Sequence, residues 1–308
     1  MNNMYKPEGE LIHTQENKKY LSCHSSLREA FYNSIALEAR VIRCDSEHNL
    51  YVDLGCMKGI IPRSQGACGI DEGTTRDIAL ISRVNKPVVF KIMGFSADSN
   101  AEPCAVLSRK AVQTECADKY ISRLIPGDII DATVSHIENF GVFCDIGAGI
   151  NALMPIDSIS VSRIPHPSAR FYTGQRIKAV VKSIDEMGRL TLSHKELLGT
   201  WEENTASLNI GETVPGIVRS VEKYGIFVEL APNLAGLAEY TQGITPGSHA
   251  GVYIKSILTQ KMKIKLIIVD SFDADYPASE LKYFITDGHI DRWQYSPSDC
   301  QRVVETVF

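Results

Sequence analysis

The chain has 308 residues, of which 44% are hydrophobic and 22% charged, a balance typical of a globular protein that excludes a disordered, collagenous or coiled-coil chain. No apolar run approaches the roughly 18 residues that a membrane-spanning helix needs, and the opening residues MNNMYKPEGE contain no signal-peptide core, so we expect a cytoplasmic protein with no membrane partner. The formal net charge of -5 disfavours a protein that coats duplex DNA, but it allows a single-strand binder that adds base stacking to a local basic groove.

Residues 15–35 are predicted to be mostly helical, and three related strand-rich units follow them along the chain. The units contain LEARVIRCDSEHNLYVDLG (Leu37–Gly55), GDIIDATVSHIENFGVFCDIG (Gly127–Gly147) and GETVPGIVRSVEKYGIFVEL (Gly211–Leu230). The second and third share a glycine followed by an acidic residue, a valine-rich strand, an aromatic-glycine pair and an alternating strand, and the first is more divergent. Short strands separated by turn residues and repeated in this way predict small antiparallel barrels.

Helix-like spacing marks the connections between the units, in AVQTECADKYISRL after Lys110 and in ELLGTWEENTASL after Lys195. In the C-terminal tail we predict a helix over Ser279–Thr286 and a strand that contains Trp293 and Tyr295. The tail aromatics could close the third barrel, pack between domains or form a partner site, and packing is favoured. The predicted division is a helical segment over 1–35, barrels over 36–110, 126–195 and 209–270, linker helices over 111–125 and 196–208, and the tail over 271–308.

The strand around Phe143 alternates in character, so Val142 and Cys144 are expected to face the barrel interior. Phe143 and Asp145 then share the outer face. The equivalent outward pairs are Tyr51 with Asp53 in the first unit and Phe227 with Glu229 in the third. We therefore expect each barrel to place an aromatic ring beside a carboxylate on its outer face.

A second ring precedes each outward ring by three residues, at His48, Phe140 and Tyr224. A glycine, or Asn49 in the first unit, lies between the two rings and permits a bend that brings both to one surface. Paired exposed rings suit single-stranded nucleic acid because every base offers a flat π face, and one stack is worth about 1–3 kcal/mol. The late strand of the third unit alternates cationic with apolar residues, so its lysines should share one face: Lys261, Lys263 and Lys265.

Other interpretations of these patterns stay open. An outward ring can be covered by a linker helix or by a neighbouring domain, and a lysine-rich strand can be a solvated edge. Repetition of the ring pair in three units favours the nucleic-acid interpretation.

The second unit contains PGDII, NFGVFCDIG, TGQRIKAVVKSID and GRLTLSHK, and with these segments it resembles the S1 RNA-binding domain, the OB-fold repeat of a bacterial small-subunit ribosomal protein. The resemblance extends more weakly over Leu37–Asp270. It implies an all-β chain with helical linkers and three tandem five-stranded OB-fold barrels. It also implies that each barrel stacks single-stranded RNA on two aromatics, with a His after a Gly-Leu pair and an Asp and an Arg near the last strands.

Carried over residue by residue, the resemblance implies RNA-binding roles for Phe140, Phe143, Asp185 and Arg189 in the second unit, Tyr224 and Phe227 in the third, and His48 and Tyr51 in the first. The His position holds Pro155 in the second unit, Glu239 in the third and Pro62 in the first. In the third unit Leu258 and Met262 stand where the Asp and the Arg would fall. We infer that the basic late strand of that unit substitutes for the missing Arg.

The whole chain resembles short S1-like proteins with three repeats, and this implies that it binds messenger RNA in translation, near the small ribosomal subunit. Two alternatives stay open: an RNA regulator that never contacts the ribosome, and a protein-interaction adaptor whose degenerate barrels bind another protein. The sequence does not indicate the oligomeric state.

No motif predicts catalysis or a cofactor. The phosphate-binding and nucleophile motifs G-x-x-x-x-G-K-[ST], G-x-G-x-x-G and G-x-S-x-G are absent from the sequence. His136-Ile137-Glu138 gives half of a zinc deaminase signature without the P-C-x-x-C that completes it, and Asp273-Ala274-Asp275 is interpreted as a solvated loop. The eight cysteines form no C-x-x-C, so we expect free thiols and no metal site. Because the catalytic motifs are also missing, we expect no enzyme activity.

Overall fold

The computed structural model describes residues 5–97, 102–274 and 281–308, and it contains three closed five-stranded β-barrels. In each barrel the strands follow one another around the wall in the order first, second, third, fifth, fourth. The third strand pairs with the fifth in parallel, and the first pairs with the fourth in antiparallel orientation. This is the OB-fold topology, so the expected fold class of three tandem OB-fold barrels is confirmed.

The chain divides into two compact units, one made of the residues up to Leu124 together with Asp145–Asn151, and the other of residues 125–144 and 152–308. The first unit begins with two helices and continues with the first barrel and a further helix. Its elements are α1 (Gln15–Leu21), α2 (His24–Tyr32), β1 (Leu37–Cys44), β2 (Leu50–Asp53), β3 (Lys58–Ile61), α3 (Ile78–Ile81), β4 (Pro87–Ala97), β5 (Pro103–Ser108) and α4 (Arg109–Lys119).

The second barrel, the third barrel and the C-terminal tail follow along the chain. The second barrel consists of β6 (Ile129–Glu138), β7 (Gly141–Asp145), β8 (Asn151–Pro155), β9 (Arg176–Ile184) and β10 (Leu190–Ser193), and it is followed by α5 (Trp201–Thr205). The third barrel consists of β11 (Thr213–Glu222), β12 (Gly225–Ala231), β13 (Leu234–Ala238), β14 (His249–Leu258) and β15 (Lys263–Phe272), and the tail forms a hairpin of β16 (Arg292–Gln294) and β17 (Glu305–Val307).

Alternating side chains fill the barrel interiors, as the sequence predicts. Val52, Val142, Cys144 and Val228 are all fully buried at the inward positions of the second strands. Leu27 of α2 joins the core of the first barrel. Within the described part of the chain, no helix is both long and apolar enough to cross a membrane.

A buried carboxylate in β1 fastens the N-terminal residues to the first barrel. The Glu38 oxygens accept hydrogen bonds from the backbone N–H groups of Gly9, of Leu11 at 2.7 Å and of Ile12 at 2.6 Å. The side chain of Asn17 in α1 accepts from the Glu38 backbone N–H and donates to its carbonyl, both at 2.8 Å. Burial disfavours the charged carboxylate and raises the pKa of Glu38 to about 7.

The linker between the second and third barrels is not the continuous helix that the sequence predicts over 196–208. It forms a 3₁₀ turn at Lys195–Leu198 and the short helix α5, separated by Gly199, which has φ of 84°. A side chain at position 199 would also lie 2.7 Å from the Phe284 ring. The helix then begins with a reciprocal capping box, because Thr200 and Glu203 each bond the other's backbone N–H through a side-chain oxygen.

The tail packs against the linker and the third barrel. Residues 281–286 are not helical, and Ser279 and Glu280 of the predicted tail helix lie outside the described residues. Trp293 lies in β16, and Trp293 and Tyr295 are buried in one core with Trp201. The rings of Trp201 and Tyr295 meet nearly edge to face, with centroids 6.4 Å apart.

The stability of the fold should depend on pH through Glu38. The ordinary pKa of a glutamate is 4.5, so a folded-state value of about 7 means that the folded protein holds this proton more tightly than the unfolded chain. The resulting stabilisation is complete below about pH 4.5 and is lost as the pH rises through 7. In the parent, the free energy of unfolding should therefore fall by on the order of 3 kcal/mol between about pH 5 and 8. In Glu38→Gln, which has no carboxyl group to titrate at this position, this fall should be absent.

Urea denaturation of the full chain at several pH values measures this fall, and Glu29→Gln, at an exposed position of α2, is the matched control. Equal pH dependence in the parent and in Glu38→Gln would contradict the assignment of this proton to Glu38.

Candidate nucleic-acid interface

The second barrel brings the two predicted rings together at one end of β7. Phe140 lies in the turn that precedes β7 and is 55% exposed, and Phe143 lies in the strand and is half-buried. Their centroids are 6.2 Å apart and their planes are nearly perpendicular, at 89°. A Cβ at Gly141 would lie 2.3 Å from the backbone oxygen of Met154, so only glycine allows β7 to lie this close to β8.

The third barrel repeats this arrangement. Tyr224 is 71% exposed, and its ring centroid lies 6.2 Å from that of Phe227, at an interplanar angle of 84°. Gly225 between them has φ of 151°, in a region that favours glycine, and a Cβ there would lie 2.6 Å from the Ala238 backbone oxygen. The same local sequence thus produces the same pair of rings in two barrels.

The first barrel differs from the other two at the corresponding place. The Arg43 guanidinium lies 3.6 Å from the centroid of the Tyr51 ring and covers one of its faces. The Tyr51 hydroxyl donates to Asp45 at 3.2 Å. His48 takes a left-handed conformation with φ of 64°, and its Nδ1 lies 3.6 Å from Asp77.

The predicted Asp185 and Arg189 form an exposed ion pair in the turn between β9 and β10. Asp185 accepts from the backbone N–H groups of Met187 and Arg189, each at 2.9 Å, and from Arg189 Nε at 2.7 Å. These bonds, the backbone bond from Arg189 foremost, lower the pKa of Asp185. Asp185 therefore shapes the turn and holds the guanidinium at the surface.

The three lysines predicted on one strand face are not all on that strand. Lys261 ends a 3₁₀ turn, Met262 has φ of 49°, and β15 begins at Lys263. Lys263 and Lys265 are exposed on either side of a buried residue. The prediction that Lys261 shares their face is wrong, because the left-handed residue interrupts the alternation.

The strand register singles out Lys265. Phe227 in β12 pairs with Leu237 in β13, and Leu237 pairs with Lys265 in β15. The three side chains thus form a row across the outer wall of the third barrel. The corresponding row of the second barrel pairs Leu153 with Thr191, so there the exposed cation nearby in sequence is Arg189.

The carboxylates expected beside the rings lie on the same strand faces as the rings, but in two barrels other segments cover and bury them. Glu229 is enclosed by two arginines. Asp145 accepts from the backbone N–H groups of Glu8 at 2.8 Å, Gly147 at 2.9 Å and Gly149 at 3.1 Å, and its burial raises its pKa to about 7. Asp53 of the first barrel is exposed. Alternation fixes the face of a side chain but does not reveal which segment covers that face.

One residue close to the rings escaped the sequence analysis. The His166 Nε2 lies 3.0 Å from the side-chain oxygen of Asn139, the residue before Phe140. Its Nδ1 accepts from the Ser168 backbone N–H at 3.1 Å, which leaves the proton on Nε2 to donate to Asn139. The available signal was the long segment between Pro155 and Gly174, which has a shorter counterpart in the third unit.

The motifs considered for metal chemistry do not assemble into a cluster. Within the described residues, no group of three or more His, Cys, Asp or Glu side chains could hold a metal ion. His136 Nε2 lies 2.7 Å from Glu138 in an exposed pair on β6. Asp275 of the D-x-D motif lies outside the residues that the structure describes.

Comparison with known proteins agrees with the OB-fold class that the topology of the barrels defines. Residues 123–195, which span the second barrel, match the family model described as the S1 RNA binding domain. The match confirms, for the second barrel, the resemblance to the S1 RNA-binding domain.

The chain as a whole is similar to small ribosomal subunit protein bS1 of bacteria. It is 28% identical over 262 residues to the protein of Staphylococcus aureus (strain COL), with 80% of this chain and 64% of that protein covered. It is 30% identical over 241 residues to the bS1 homolog of Bacillus cereus, with 73% and 60% covered. The protein of Rhodopseudomonas palustris is 27% identical over 271 residues, with 85% and 46% covered. The chain thus spans less than two thirds of the length of these relatives.

Solved structures also align with parts of the chain. A multidomain protein with nucleic acid binding domains from Streptococcus pneumoniae aligns at 13% identity and a TM-score of 0.25, with 78% of this chain and 75% of that chain covered. The intact alpha subunit of aIF2 from Pyrococcus abyssi aligns at 27% identity and a TM-score of 0.23, with 27% and 32% covered.

Proposed function

We propose that the protein binds single-stranded RNA by stacking bases on the ring pairs of its second and third barrels. The observation that carries this proposal is the repeated pair of one exposed and one half-buried ring, Phe140 with Phe143 and Tyr224 with Phe227, 6.2 Å apart in both barrels. Perpendicular rings offer two differently oriented faces, so each pair can contact successive bases of a strand that turns between them.

Phosphate contacts come from a different element in each barrel. In the second barrel Arg189 extends from the turn beside β10, oriented by Asp185. In the third barrel Lys265 lies on the row of Phe227, and Lys263 lies two residues before it on the same face. A local cationic position beside a stacking ring is sufficient for single-strand binding, even in a chain whose net charge is -5.

The first barrel contributes less in this proposal. Arg43 already occupies one face of Tyr51, and a base that stacks on that face must displace the guanidinium or stack on it. His48 and Tyr51 are therefore secondary contacts. The second and third barrels carry most of the affinity.

The cellular role follows from the relatives rather than from the site. Because the similar proteins are named small ribosomal subunit protein bS1, we assign this chain to translation in the cytoplasm, with messenger RNA as the ligand and the small ribosomal subunit as the partner. In this role the protein is a binding module and performs no catalysis.

Removal of the rings of the second barrel tests the stacking mechanism. The double variant Phe140→Ala/Phe143→Ala should bind a single-stranded RNA oligonucleotide at least about tenfold more weakly, because each stacked base is worth about 1–3 kcal/mol. Fluorescence anisotropy titration measures the loss, and Tyr32→Ala, which removes an exposed ring of α2, is the control. The affinity of the parent should also fall as the salt concentration rises.

Unchanged affinity in the double variant would refute stacking on these rings. A parent that binds no RNA but captures another protein would instead support the adaptor alternative.

The lysines of the third barrel provide a second test. Lys265→Ala should weaken RNA binding several-fold, because Lys265 shares a row with Phe227, whereas Lys261→Ala, in the preceding turn, should have a smaller effect. The two variants remove the same charge from exposed positions four residues apart, so each is the control for the other. Equal losses would indicate a general electrostatic attraction, and a larger loss in Lys261→Ala would contradict the proposed path.

A further inference from the structure

A buried cluster of charges joins the second barrel to the third. Glu229 in β12 accepts from Arg219 Nε at 2.8 Å and from Arg219 Nη2 at 2.9 Å. Arg170, in the segment between β8 and β9, donates from Nη2 to the same carboxylate at 2.5 Å and to the Pro232 carbonyl at 3.2 Å. The side chains of Arg170 and Glu229 are only 4% and 6% exposed, so water does not screen this contact between the barrels.

A buried amide provides a second point of attachment. Asn233, in the turn between β12 and β13 of the third barrel, is 1% exposed. Its side-chain oxygen accepts from the Val161 backbone N–H at 2.9 Å, and its amide nitrogen donates to the carbonyls of Lys195 and Gly199 at 2.8 and 3.1 Å. Every partner in these three bonds belongs to the second barrel or to its linker. The orientation of the third barrel is therefore specified by directional bonds as well as by apolar contact.

The C-terminal tail crosses the same junction. The Tyr295 hydroxyl donates to the Asn233 carbonyl at 2.5 Å, and the Tyr295 carbonyl accepts from the Trp201 backbone N–H at 2.9 Å. The Thr306 hydroxyl bonds the buried carboxylate of Glu196 at 2.8 Å. The tail thus links the third barrel to the linker that follows the second barrel.

The segment that carries Arg170 also reaches the ring pair of the second barrel. His166 bonds Asn139, next to Phe140, and its ring nitrogen caps the 3₁₀ turn at Pro167–Ala169. That turn leads directly to Arg170. Only three residues therefore separate a contact beside the rings of the second barrel from a contact with the third.

The other end of this segment contacts the strand that carries Phe227, through the bond from Arg170 to Glu229. Glu229 and Phe227 are two positions apart on β12 and lie on the same face, roughly 7 Å apart along the strand. The Arg170 contact is therefore adjacent to the ring site of the third barrel. A continuous set of contacts therefore runs from Asn139, next to Phe140, through His166–Arg170 to Glu229, two residues from Phe227.

We propose that the second and third barrels form one composite surface, in which His166–Arg170 is a positioning segment that holds the two ring pairs in a fixed relation, so that one RNA strand contacts both. This inference rests on the proposed function. It adds that the second and third barrels are packed against each other in a fixed orientation, rather than joined only by a flexible linker. A docked pair of sites is preorganised, because the second site binds without first ordering the connection between the barrels.

The length of the RNA distinguishes the composite surface from two independent sites. An oligouridylate of about 5 nucleotides engages one barrel, and one of about 20 nucleotides can reach both. Arg170→Met in the full chain should leave the affinity for the short oligonucleotide within about twofold of the parent and weaken the long one about tenfold. Glu229 keeps its two bonds to Arg219 in this variant, so the barrel is expected to fold. Arg163→Met, at an exposed position of the same segment, is the control.

Amide hydrogen exchange without RNA tests the docking itself. The backbone N–H groups of Val161 and Trp201 donate across the junction, so both should be protected in the parent. Arg170→Met should accelerate exchange at Val161, and Tyr295→Phe, which removes only the hydroxyl bond to the Asn233 carbonyl, should accelerate exchange at Trp201. The second variant remains informative if the first does not fold.

The outcomes separate this inference from the proposed function. Rapid exchange at both amides in the parent, or equal losses for the short and long RNA in Arg170→Met, would overturn the composite surface while RNA binding stands. A parent that binds neither oligonucleotide would overturn the proposed function, and the composite RNA surface with it, whatever the exchange rates.

Discussion

The outward direction of the aromatic side chains on the second strand of each barrel is the constraint on which the rest of the structure depends. The residues on either side of each ring fill the barrel interior, and side chains alternate along a strand, so Phe143 and Phe227 face outward. Gly141 and Gly225 let the strand approach its neighbour closely and bring the preceding ring to the same place. Core packing thus fixes the outward direction of Phe143 and Phe227, and each glycine brings the preceding ring to the same place.

The same strand face also carries the attachment points of the fold. Two positions beyond each ring, Asp145 anchors the N-terminal segment and Glu229 receives two arginines. These carboxylates are buried, and a buried charge without hydrogen-bonding partners would be costly. Each carboxylate therefore keeps its partners in place, and the partners belong to neighbouring segments of the chain. In each of these two barrels one short strand consequently carries both a ring on its outer face and a carboxylate that holds another segment of the chain.

Much of this could be predicted from the sequence, because it follows from local pattern. The threefold repeat predicted three barrels, and the alternation of side chains predicted the inward and outward faces of the strands. The glycine after Phe140 and after Tyr224 predicted that the two rings of each pair lie close together. The rest depends on contacts distant in sequence. The enclosure of Glu229 by Arg170 joins residues 59 positions apart, and the bond from His166 to Asn139 spans 27. The misplacement of Lys261 has a local cause, because Met262 adopts a left-handed conformation that its residue type does not signal.

Photo-cross-linking tests the central claim, that nucleobases lie against these rings, most directly. An oligouridylate containing 4-thiouridine would be irradiated in complex with the full chain, and the cross-linked peptides identified by mass spectrometry. Stacking on the barrels predicts that the cross-links concentrate on Phe140, Phe143, Tyr224 and Phe227. Cross-links that avoid the peptides containing these rings and fall elsewhere on the chain would contradict it.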